Sequence, residues 1–99
     1  MKTATVSLML SVIIIILGAT SASAARAYIR DMNKVCAWQY PGSVGELYGR
    51  TVYDWKCLFK KTGVTKSLSV YRYCQAKYGS NANTSFDSEY LPYSWYCTY

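Results

Sequence analysis

The sequence predicts a small disulfide-rich α+β fold built from two tandem helix-loop-strand units that share one core. Three observations carry this: four cysteines in a short chain that opens on an export signal, a text that repeats around those cysteines, and a switch from helical to two-residue periodicity inside each copy. The 99 residues allow at most one domain and a modest core, which excludes a multidomain enzyme. At 52% hydrophobic and 16% charged, the chain is too apolar and too aromatic to be intrinsically disordered. Its formal charge is +6, from eleven Lys and Arg against five Asp and Glu, and it has no His.

Lys2 supplies a positive n-region, residues 6–17 an apolar stretch broken only by Ser7 and Ser11, and Ala22-Ser23-Ala24 a cleavage site of small residues. This is the pattern of a secretory signal peptide, so residues 1–24 are read as the signal and 25–99 as the mature domain. The uninterrupted apolar run Val12–Leu17 is far shorter than the roughly 20 residues a membrane-spanning helix needs. All eleven Tyr, all three Trp and both Phe lie beyond Ala24. Export to an oxidising compartment makes disulfides the default for Cys36, Cys57, Cys74 and Cys97. Zinc is disfavoured, because intervening runs of 20, 16 and 22 residues match no common ligand spacing and His is absent.

Four cysteines permit three pairings, and the internal repeat chooses among them. Asp31 answers Ser69, Met32 answers Val70, Lys34 answers Arg72 and Tyr40 answers Tyr78. Tyr53-x-Trp55-x-Cys57-x-Phe59 then matches Tyr93-x-Trp95-x-Cys97-x-Tyr99, giving units of about 28–61 and 66–99. Asp31 and Ser69 are helix N-caps, able to accept from free amides of a first turn. Met32, Val35, Cys36 and Tyr40 recur at helical spacing, as do Val70, Tyr73, Cys74 and Tyr78, which turns each cysteine inward. Pro41-Gly42 and Gly79 stop the helices. An irregular loop is expected next, then a strand from Tyr53 or Tyr93 with aromatics and Cys on one face. One inward cysteine from each element gives Cys36–Cys57 and Cys74–Cys97. Lys60-Lys61-Thr62-Gly63 forms a turn, Val64–Lys66 a short extended piece, and the two aromatic strands are expected to pair as one small sheet under both helices.

Reactive chemistry is poorly supplied. With no His and no free thiol once both bridges form, the chain lacks the usual base or nucleophile, and no phosphate-binding glycine loop or nucleophile elbow occurs. Asp87 and Glu89 are the one close acid pair, and a solvated loop pair is their ordinary reading. No enzyme activity, metal or cofactor is expected. Aromatics are the stronger lead, since Tyr and Trp concentrate at recognition surfaces. Trp55, Trp95, Tyr53 and Tyr93 recur at the strand positions of the cysteines, and the two Trp residues are assigned to the core. Trp38, Tyr48, Tyr71, Tyr90 and Tyr96 break the repeat or lie in loops, and are the candidate binding residues. Lys60 and Lys61, with Lys56 and Lys66 nearby, form a basic cluster suited to acidic glycans or anionic lipid. Nucleic acid is not expected as a partner, for want of a recognition helix with clustered Arg. Asn83-Thr84-Ser85 is a glycosylation sequon in a eukaryotic host.

The run Cys74-x3-Tyr78-Gly79, followed after a loop by Tyr93-x-Trp95-x-Cys97, resembles a small secreted two-cysteine module found in tandem in exported proteins of bacteria and some eukaryotes. Cys36 to Cys57 departs from it by placing Pro41 before Gly42. The resemblance implies a shape and an extracellular setting, and no activity. In composition alone the chain is similar to Tyr- and Lys-rich matrix or adhesive proteins of marine invertebrates. The function expected is therefore a secreted binding or matrix protein that contacts glycan, matrix or another protein. The alternative is a cationic host-defence or toxin-like peptide acting on anionic membranes.

Overall fold

Both helices begin where their caps stand. In the computed structural model, which describes residues 25–99, Asp31 accepts a hydrogen bond from Asn33 N at the start of α1 (Met32–Gln39), and Ser69 accepts from Arg72 N at the start of α2 (Val70–Tyr78). Tyr40 and Gly79 close them, Gly79 with φ 112° and Gly42 just beyond α1 with φ 94°, conformations that glycine adopts without a Cβ penalty. The expected signal segment and cleavage site lie outside the described residues.

Among the described residues, six strands accompany the helices: β1 (Arg26–Tyr28), β2 (Val44–Leu47), β3 (Trp55–Phe59), β4 (Val64–Lys66), β5 (Asn83–Phe86) and β6 (Trp95–Thr98). They form two antiparallel three-stranded sheets, β2-β3-β4 and β1-β6-β5. The expected single sheet of paired aromatic strands does not occur. β3 and β6 are each the centre of their own sheet, because both flanks are already occupied. The stretches expected to be irregular contain β2 and β5, held against β3 and β6.

The order β1-α1-β2-β3 is followed by β4-α2-β5-β6, yet neither block closes on itself. β4, which leads into α2, pairs with β3, and β1, which leads into α1, pairs with β6. Each block therefore lends its first strand to the other's sheet. The disulfides Cys36–Cys57 and Cys74–Cys97 pin each helix to the central strand of the sheet below it, and all four cysteines are buried. Closing loops of 21 and 23 residues contributes about 3 kcal/mol each in the chain-entropy model.

One buried cluster joins the parts. Ile29, Met32 and Val35 meet Val70, Tyr73 and Cys74, with Trp55, Ala82 and Cys97 among them. Two indoles stitch the blocks together reciprocally: Trp55 Nε1 donates to Pro92 O (2.8 Å) and Trp95 Nε1 donates to Val52 O (3.0 Å). Gln39 Oε1 accepts from Ser69 N (2.8 Å) and the Tyr40 hydroxyl donates to Ser67 O (2.9 Å), tying α1 to the entry of α2.

Candidate functional site

The strands begin two residues later than the alternation suggests, and this places the aromatic surface. Thr51 caps a 3-10 turn, Val52–Asp54: its hydroxyl accepts from Tyr53 N, while Asp54 Oδ2 accepts from Thr51 N and from the Thr51 hydroxyl, both at 2.9 Å. Those bonds hold the Asp54 carboxyl below the usual carboxylate range, since they favour the charged form. Tyr53 rides on the turn and is 64% exposed, and Tyr93, just after Pro92, is 59% exposed. The alternation set both on the cysteine face of a strand, and that placement is corrected, because each precedes its strand. Trp55 is buried as expected and Trp95 is partly buried.

The turn after β2 lies against the loop between β5 and β6. Val52 N donates to Glu89 O (2.9 Å), beside the two indole bonds already described. The second loop is organised by the buried Ser94 hydroxyl, which accepts from Asp87 N (3.2 Å) and donates to Ser88 O (3.2 Å). From these interlocked loops Tyr48, Tyr53, Tyr90, Leu91 and Tyr93 all stand exposed, Tyr90 at 72%. Tyr53 packs edge-on against Phe86 (5.7 Å between centroids) and Tyr93 edge-on against Trp55 (5.2 Å). Two of the five candidate aromatics, Tyr48 and Tyr90, thus share one end of the molecule, joined there by Tyr53 and Tyr93, which the alternating pattern had hidden.

The other candidates lie elsewhere. Trp38 is exposed on α1 and meets Tyr73 of α2 edge-on at 6.1 Å. Tyr71 is exposed on α2, its hydroxyl accepting from Gln75 Nε2 (2.9 Å). Tyr96 is only 7% exposed, against expectation. It sits on the central strand β6, where the Tyr28 ring packs on it at 5.1 Å and the Arg26 guanidinium lies 4.4 Å from its centroid. Lys60 and Lys61 are exposed in the turn from β3 to β4, at the far end of β3 from Tyr53. With a rise of about 3.3 Å per residue, that strand keeps them roughly 13 Å or more from the aromatic loops. Asp87 accepts both contacts of the Tyr28 hydroxyl (3.0 and 3.1 Å) and pairs with Arg26 at 3.8 Å. Asn83 is exposed at the start of the edge strand β5.

Two grooves flank the indoles. One, of about 320 Å3, is lined by Arg30, Asp31, Asn33, Glu46, Trp55 and Tyr93 among others. The other, of about 310 Å3, is lined by Leu68, Ser69, Tyr71, Thr84, Trp95 and Tyr53 among others. Comparison with protein-family models, curated proteins and solved structures gave no match.

Proposed function

We propose that this chain is a secreted, non-enzymatic binding module of two tandem units that contacts extracellular glycan, matrix or protein through the aromatic loops. One observation carries the reading: five large apolar side chains stand exposed on two loops that hydrogen bonds lock together. Large apolar side chains held exposed together on loops mark an interaction site, and a rigid scaffold loses little entropy when a partner binds. Both disulfides suit an oxidising, extracellular setting. The duplication supports the tandem-unit reading through the order β-α-β-β taken twice and the reciprocal indole bonds.

The test is retention of the oxidised mature chain, residues 25–99, on insoluble polysaccharides and on coats of extracellular matrix protein, each at low salt and in 0.5 M NaCl. Binding that survives the salt is expected, because aromatic contacts are little affected by screening that weakens exposed charge pairs. Retention that vanishes with salt would point instead to the exposed Lys60 and Lys61. Those lysines beside exposed Val64 favour the membrane-active alternative, and leakage of anionic vesicles at micromolar protein would select it.

A further inference from the structure

The two grooves occupy matching places. Counting from the N-caps, Arg30, Asp31 and Asn33 correspond to Leu68, Ser69 and Tyr71; counting from the bridged strand cysteines, Trp55 corresponds to Trp95 and Tyr93 to Tyr53. Both keep the Trp and Tyr walls. They differ in polar equipment, for the second groove has no charged lining residue where the first has Arg30, Asp31 and Glu46.

We propose that the groove between α1, β2 and Tyr93 is a subsite for one neutral pyranose ring of a polysaccharide. This rests on the binding role argued above and names its ligand class. A sugar ring offers an apolar C–H face to an aromatic wall and vicinal hydroxyls at its rim, which planar carboxylate, amide and guanidinium groups grip in pairs. The wall is present in Tyr93, exposed and held edge-on by Trp55. The rim groups are present and partly preset. Asn33 Oδ1 accepts from Gly45 N (2.7 Å), which leaves its NH2 group to donate, and Asp31 Oδ1 accepts from Asn33 N (3.0 Å), which leaves Oδ2 to accept. Gly45 permits this closeness: a Cβ there would lie 3.0 Å from Met32 C and Cβ, so any side chain would push β2 away from the first turn of α1. Thr84 stands at that place in the second groove. One positive and two negative side chains favour an uncharged, hydroxyl-rich ligand over an anionic one, and about 320 Å3 holds a single ring.

The test uses the oxidised mature chain titrated with cellotetraose and with chitotetraose, followed by calorimetry and by the NMR signals of the Trp55 indole and the Gly45 amide. At least one oligosaccharide is expected to bind and to shift both signals. Glu46→Gln and Tyr93→Ala should each weaken binding at least fivefold, and Arg72→Ala, exposed on α2 and outside this groove, should leave it unchanged. Glu46 is exposed, so its Gln variant keeps the fold as a control for Tyr93→Ala. Oligosaccharide binding that both variants leave intact would overturn the subsite while the binding role stands. Retention on matrix protein without oligosaccharide binding would overturn the sugar assignment alone. Failure of the chain to bind any of these surfaces would overturn both.

Discussion

A few side chains decide how this small surface is presented. Trp55 and Trp95 each send an indole N–H across to a carbonyl of the other block. Replacing either by Phe leaves Pro92 O or Val52 O without its donor, and a carbonyl orphaned in this partly buried setting costs about 1–3 kcal/mol. Urea unfolding of Trp55→Phe and Trp95→Phe should show losses of that size for both, and a loss at one site alone would refute the reciprocal arrangement. Asp54 sets the pose of Tyr53. Its carboxyl titrates lower in the fold than in the unfolded chain, so its contribution to stability is complete above the ordinary carboxylate value and fades as pH falls through the lowered one. In melting curves from pH 6 down to pH 2, the stability difference between wild type and Asp54→Asn should shrink below about pH 4. A pH-independent difference would show that the Thr51 bonds are not what holds this turn.

Strand exchange is the feature of element scale with the sharpest consequence. β1 lies in the first block by sequence but covers β6 in the second sheet, where it also buries Tyr96. A chain that starts at Ile29 should therefore lose amide protection in β6 while β3 stays protected, a reversal of what self-contained units would give. Hydrogen exchange reads this directly, and unfolding confined to β2 and β3 would contradict it. The caps, the helix stops and the inward cysteines were all legible, because each depends on residues close in sequence. β2 and β5 were not: Val44-Gly45-Glu46-Leu47 and Asn83-Thr84-Ser85-Phe86 carry little strand propensity and become strands through pairing with β3 and β6. The two-sheet partition was hidden for the same reason, since β1 and β6 meet across almost the whole span of the described residues. Tyr53 was misplaced although Thr51-x-x-Asp54 is a capping signature, and reading it would have started the alternation at Trp55 instead.

At the scale of the whole molecule, two covalent bridges, one shared core and two exchanged strands fix a body small enough that its loops become part of its framework. That rigidity is what lets exposed aromatics serve as a binding face at modest entropic cost. Lys60 and Lys61 do not join it, for they lie at the opposite end of β3. Tyr48 and Tyr90 offer the cleanest handle on the face, both exposed on the interlocked loops and outside the ring pairs that stabilise Tyr53 and Tyr93. The decisive measurement is the affinity of the double variant Tyr48→Ser/Tyr90→Ser for whichever glycan or matrix surface retains the wild type, taken beside its melting temperature. Truncating interface anchors costs more than about 1 kcal/mol each, so the account predicts binding weakened at least tenfold with melting shifted by no more than a few degrees. Unchanged binding in a folded double variant would contradict it.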